Sequence, residues 1–243
     1  MTDRIEGEEE AFFCGAYWGA RQETAEACAT RLEAFFRLLA GVDLSFAQWF
    51  RQGKSRAEAL KHPIDSTGAE LAKLLRKGRD RVVEELGFRF SAWNGASDDN
   101  DGSALKLTCG GSSPRVINVC LLDLPVRGPN SERVLAASTL RGLVKSMAVA
   151  WEPDFVVVMS SAHLQMLRDN DPSEIWPGWV LYLSRQRGTV PPLPAPVHVE
   201  PVADKGTLIV LTPERFTASN PEHVALAEQV RALLDQAGLL KPL

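Results

Sequence analysis

Apolar residues first repeat at helical spacing. Between Thr24 and Leu39, Cys28, Leu32, Phe35, Phe36 and Leu39 recur at three- and four-residue steps and form one stripe, which predicts an amphipathic helix. Ser55 with Glu58, and Thr67 with Glu70, have the capping-box spacing, in which hydroxyl and carboxylate each satisfy an orphan amide of a helix start. Leu71, Leu74 and Leu75 give the second of these helices its buried face, and Gly78 and Gly87 stand where left-handed caps would end helices. Residues 11–87 therefore read as a helical subregion.

After Gly87 the period changes to two. Phe88, Phe90 and Ala92 alternate with polar residues, and Trp93-Asn94-Gly95 opens a polar loop that runs to Gly102. Leu105, Leu107 and Cys109 alternate again, and after a Gly-Ser turn the run Val116 to Leu124 completes a predicted antiparallel meander. Ser131 is placed to cap a long helix whose Val134, Ala137, Val144, Met147 and Trp151 share a face. Beyond Pro153-Asp154, Phe155 to Met159 is continuously apolar, as expected of a strand buried on both sides.

Trp179 to Leu183 reads as a short strand, and Val197–Val202 with Thr207–Leu211 as a hairpin. Asn220 and Pro221 start a last helix with Val224, Ala227, Val230 and Leu234 inward and Gly238 at its end. Pro191 to Pro196 is an extended connector. Strands and helices do not alternate regularly, which disfavours a doubly wound fold. The expectation is one α+β domain over 1–243: the helical subregion, then a mostly antiparallel sheet with two packed helices over 88–243.

Composition narrows the function. A 45% apolar fraction is enough for a sizeable core, and a net charge of −4 makes the chain a poor polyanion binder. The basic run Arg76-Lys77-Gly78-Arg79 suits a helix C-terminus. No signal peptide or membrane-length apolar stretch is present, and Cys14, Cys28, Cys109 and Cys120 lack C-x-x-C spacing. These features predict a cytoplasmic protein with reduced core thiols and no direct contact with nucleic acid or membrane.

The search for chemistry finds no constellation. His62, His163, His198 and His223 are not at ligand spacing; His163, after the apolar strand, is the best placed to face a cleft. Asp98-Asp99-Asn100-Asp101-Gly102 looks like a calcium loop. Aligned on Gly102, however, it puts Ser97 first and Thr108 twelfth, where Asp and Glu are needed. It reads instead as an exposed acidic hairpin tip. Cys109 to Pro114 is Gly-rich without the lysine of a P-loop. Pro153-Asp154 matches half of a restriction-nuclease motif, but Asp204-Lys205 lacks the intervening residue of the other half. No catalytic residue, metal, cofactor or small-molecule ligand is expected. Six tryptophans remain, of which Trp176 and Trp179 flank a turn, where an indole can anchor a protein interface.

Several segments together resemble the immunity protein 52 family of bacterial toxin-immunity systems. They are Ala16-Tyr17-Trp18-Gly19-Ala20-Arg21-Gln22-Glu23; Trp49-Phe50 with Gly53-Lys54-Ser55-Arg56; Leu86-Gly87-Phe88 with Trp93-Asn94-Gly95; and Gly178-Trp179 with Tyr182-Leu183-Ser184. The resemblance implies a non-enzymatic inhibitor of a cognate toxin, usually a restriction-endonuclease-like DNase delivered by type VI secretion. It carries over no catalytic residue, and the shared Tyr17, Trp18, Gly19, Arg21, Trp49, Trp93, Asn94, Gly95, Gly178 and Trp179 read as scaffold. Physically, an acidic inhibitor can cover a basic nuclease groove. The candidate contacts are Asp98, Asp99 and Asp101 on one loop, and Asp169, Asp171 and Glu174 on another beside Trp176. The rival readings are an effector adaptor that binds without inhibiting, and a small hydrolase built on His163.

Overall fold

The computed structural model describes residues 10–79, 82–168 and 175–243. Among these, eight strands form one sheet: β1 (Phe12–Trp18), β2 (Phe88–Trp93), β3 (Ala104–Cys109), β4 (Asn118–Asp123), β5 (Phe155–Ser160), β6 (Val180–Ser184), β7 (His198–Val202) and β8 (Gly206–Val210). They pair antiparallel throughout in the order β2-β3-β4-β1-β5-β6-β8-β7. The helices are α1 (Ala25–Ala40), α2 (Arg56–Ala59), α3 (Gly68–Lys77), α4 (Pro129–Val134), α5 (Ala137–Trp151), α6 (Ser161–Arg168) and α7 (Pro221–Gln236). The class is α+β, as the change of period predicts.

The helical subregion expected over 11–87 also supplies the central strand. β1 lies between β4 and β5, and its Phe12, Cys14, Ala16 and Trp18 are buried. The residues between them are Phe13, Gly15 and Tyr17, so no polar position reveals the two-residue period. The first face of the sheet packs on α1 and α5. Cys14 meets Met147 at 3.5 Å, Trp18 stacks on Trp151 at 5.5 Å between centroids, and Phe36 of α1 meets Phe90 of β2 edge-on at 6.3 Å.

Local signals held unevenly. Ser55 caps α2 as its spacing predicts, with Glu58 N donating to its Oγ at 3.3 Å, while Glu58 Oε2 accepts from Lys54 N. Thr67 makes no side-chain cap to α3, and Glu70 turns instead to Lys73. Gly87 is left-handed (φ 70°), but Gly78 is not (φ −87°); at Gly78 a Cβ would lie 1.8 Å from the Arg89 carbonyl oxygen. The single helix expected from Ser131 is two, α4 and α5, with Ser131 inside α4 and Gly128 at its cap. The region 88–243 thus carries α4, α5, α6 and α7 rather than two helices. In α6 the extra start is made by Ser160, whose Oγ accepts from His163 N at 2.9 Å.

The sheet is covered unequally. Every residue of β5 is buried, and so are Val180 to Leu183 of β6 and Leu208 to Val210 of β8. Phe155 lies on the second face under the Arg187 guanidinium, 5.6 Å from its ring centroid. Arg187 also donates to the carbonyls of Leu239 and Lys241, so the end of the chain is fastened over this half. In β2, β3 and β4 burial alternates, and the second face carries half-exposed or exposed residues at every step.

Candidate functional site

A cleft of about 340 Å³ opens at the end of this more exposed half-sheet, lined by Gln52, Gly53, Ser55, Arg56, Ala59, Trp93, Asp99 and Ala104. Its floor is Trp93 and Ala104, which face each other across β2 and β3. One wall is the segment after Phe50, laced to the sheet because Phe50 and Trp93 exchange both backbone hydrogen bonds, at 2.7 and 3.0 Å. Ser91 Oγ donates to Gln52 Oε1 at 3.3 Å, and Arg56 Nε reaches the Ala96 carbonyl at 3.1 Å.

The opposite wall is the acidic loop, shaped by the Trp93-Asn94-Gly95 motif. Asn94 Oδ1 accepts from Ser103 N, and its Nδ2 donates to the Ser45 carbonyl. Gly95 is left-handed (φ 77°), with the Phe50 ring 2.5 Å from where a Cβ would stand. Only glycine suits that conformation and that approach.

The three aspartates of this loop divide. Asp98 and Asp99 are exposed, and Asp99 borders the cleft. Asp98 Oδ1 accepts from the backbone N–H of Asn100 at 2.9 Å and from its side chain at 3.2 Å. These bonds, with Arg127 nearby, hold its carboxyl below the usual carboxylate range. Asp101 turns inward at 8% exposure and receives Asn130 N and Ser131 N at the start of α4. It is a structural cap, so the surface charge of the loop is that of Asp98 and Asp99.

Trp176 lies elsewhere. It is half-buried, with the Arg231 guanidinium 3.6 Å from its ring centroid. It precedes β6 at the same end of the sheet as the acidic loop, but β3 and β6 are four strand spacings apart, about 19 Å. Asp169, Asp171 and Glu174 lie outside the described residues.

The remaining motif residues, at both ends of the sheet, are engaged in the fold. Gly19 N donates to Asp154 Oδ2, and its carbonyl accepts from Asn118 Nδ2. The Arg21 guanidinium sits 5.1 Å over Trp18, and Tyr17 stacks on Phe155. Trp49 Nε1 donates to the Phe46 carbonyl, Trp179 Nε1 to that of Thr212, and a Cβ on Gly178 would come 2.1 Å from the Val158 carbonyl oxygen.

His163 is buried rather than facing a cleft, its ring 5.0 Å from that of Phe216, and burial lowers its pKa. Neither ring nitrogen has a partner among the described residues, nor is any group of three His, Cys, Asp or Glu there disposed to hold a metal. No described helix is long and apolar enough to cross a membrane. Sequence reasoning missed Gln52, Arg56 and Ala104 as lining residues; the Ser55–Glu58 box signalled the helix that carries Arg56, not the strand it faces.

The sequence model of the family described as Immunity protein 52 matches residues 10–243. The chain belongs to this family. The fold of this Imm52 chain is similar to that of a solved structure, Pseudomonas aeruginosa T6SS protein PA0821. The TM-score is 0.57 at 12% identity, covering 93% of this chain and 72% of that one. At that identity the likeness is one of fold. No curated protein sequence matches significantly. Membership gives the Imm52 chain an immunity role, with a toxin as its binding partner.

Proposed function

We propose that this protein binds and neutralises, without catalysis, an antibacterial nuclease toxin of the type delivered by type VI secretion, protecting the cytoplasm of the producing cell and its kin. The observation that carries this reading is the family match over residues 10–243. The surface adds a physical reason: the exposed carboxylates of Asp98 and Asp99 stand on a loop held by Asn94, Gly95 and Asp101, at the rim of a cleft. Two exposed carboxylates on a braced loop, across the cleft from Arg56, suit the basic groove of a nuclease, because opposite potentials speed encounter and fix orientation.

The test is a DNA-cleavage assay with the toxin encoded beside this gene, with and without an equimolar amount of this protein. Cleavage should stop. Binding with cleavage intact would make the protein an adaptor instead, and cleavage inhibited equally by the Asp98→Lys/Asp99→Lys variant at every salt concentration would remove the acidic rim from the reading. For that variant the association rate should fall about tenfold at low salt, with the difference shrinking as salt rises.

A further inference from the structure

We infer that the toxin docks on the open half of the sheet: apolar side chains over Phe13, Val119 and Leu121, a basic residue at Asp98 and Asp99, an acidic residue at Arg89. This rests on the toxin-binding reading above and adds the surface and the orientation.

Three observations carry it. The first is the unequal cover. The same face of the sheet is sealed over β5, β6 and β8, where the chain's own end is fastened by Arg187, yet Phe13, Val119 and Leu121 on β1 and β4 stay half-exposed. These positions are adjacent, since Phe13 pairs with Asp123 and Gly15 with Leu121. Together the three form a contiguous apolar strip on one face of the sheet, which a partner can cover.

The second is polarity. Strand register puts Arg89 opposite Thr108 near one end of the strip, and Trp93 opposite Ala104 at the other, beside the acidic loop. Between them Lys106 is neutralised by Asp123 at 3.0 Å, and Arg89 has no ion pair among the described residues. This face therefore carries a cation at one end of β2 and two carboxylates beyond the other, with Ser91, Lys106 and Thr108 between them and the apolar strip alongside on β4 and β1, so a partner must present the opposite charges in that order.

The third is size and accessibility. Six residues of strand by three strand spacings make a patch of about 280 Å², well short of the roughly 800 Å² per partner of a stable interface. A partner that docks here must therefore also use the cleft and both its walls, and the toxin that family membership implies is the partner we place there. The outer edge of β2 is already taken, with Arg89 N bonded to the Gly78 carbonyl and Trp93 to Phe50, so the partner meets a face and not an edge.

The experiment uses the full chain and the toxin domain encoded beside its gene. Hydrogen exchange of the wild-type complex should show protection over residues 90–93, 104–108 and 118–122. Val119→Lys and Leu121→Lys should each weaken binding at least about 100-fold, while Val149→Lys, on the exposed side of α5 across the sheet, should bind like wild type. Arg89→Glu should recover affinity when the facing toxin acid is changed to Lys.

A wild-type protein that binds and protects, with no exchange protection on these strands and full affinity in both lysine variants, overturns the placement and leaves the proposed function standing. A wild-type protein that does not bind overturns both. A dimer in sedimentation of the chain alone that Leu121→Lys dissociates assigns the face to a second copy and overturns the toxin as occupant. Exchange protection alone decides the matter should either lysine variant fold poorly.

Discussion

Asp101 caps a helix that begins 28 residues later: its Oδ1 accepts from Asn130 N at 2.9 Å, and α4 has only Gly128 at its own cap position. One loop thus joins two roles, an exposed acidic rim and an internal clamp. Asp101→Ala removes the only side-chain cap that α4 has among the described residues and leaves two inward amides without acceptors. The expected cost is about 1–2 kcal/mol, or roughly 2–8 °C in Tm for a chain of this size. Asp99→Ala should change Tm by less than about 1–2 °C. Equal losses in thermal denaturation of the two variants would refute the division.

Two motif glycines should respond in opposite ways. A Cβ at Gly178 would stand 2.1 Å from the Val158 carbonyl oxygen, whereas nothing lies within 4 Å of one at Gly19. Gly178→Ala is expected to destabilise by about 1–3 kcal/mol because the backbone of β5 has to move. Gly19→Ala should fall within about 0.5 kcal/mol of wild type. Urea midpoints of the two variants make the comparison.

Acid sensitivity should trace to named carboxylates. Hydrogen bonding from Arg141, then Lys145, holds the Glu200 carboxyl below its ordinary 4.5, and Lys205 with Arg31 does the same for Glu152. A carboxyl depressed in the folded state adds stability above its unfolded pKa, and that stability is lost as pH falls through the folded value. Stability should therefore be level near neutrality and fall below about pH 4.5. Glu200→Gln should lower the plateau and flatten the acid slope; an unchanged slope in urea titrations at pH 3 to 6 would contradict the assignment.

The thiols should be silent in the native state. All four cysteines are free and buried. Burial pushes Cys14 and Cys120 well above the usual thiol range, and Cys109 is raised first by its hydrogen bond with Cys28 and then by burial. A thiol-reactive chromophore at pH 8 should label the native chain only at the rate of unfolding, and all four sites at once in guanidinium. Rapid labelling of one cysteine would mean that its element opens locally.

Where polar residues interrupt the apolar pattern, the sequence was legible. The meander β2-β3-β4 shows its alternation because one face is wet, and α1 shows its stripe because the opposite face carries Glu26, Thr30 and Arg37. β1 hid because both faces are apolar, and the break between α4 and α5 hid because Leu135 and Ala136 keep the hydrophobic character of the helices they separate. The candidate site was half legible. Trp93-Asn94-Gly95 and the acidic loop were visible, but Gln52 and Arg56 join them only through the exchange of backbone bonds between Phe50 and Trp93, a long-range pairing without a local signal. Nothing in the one-dimensional pattern separates Asp101 from Asp98 and Asp99 either, since the difference is set by where α4 lands.

The position of β1 has a consequence for how the protein is made. Phe12 to Trp18 emerge from the ribosome well before the strands that flank them, Asn118–Asp123 and Phe155–Ser160. Until both have been synthesised, seven consecutive apolar or glycine residues have two bare hydrogen-bonding edges, a state open to intermolecular pairing. Nascent chains stalled before residue 118 should thus be the aggregation-prone species, and release of Ser160 the point at which the sheet can close around its first strand.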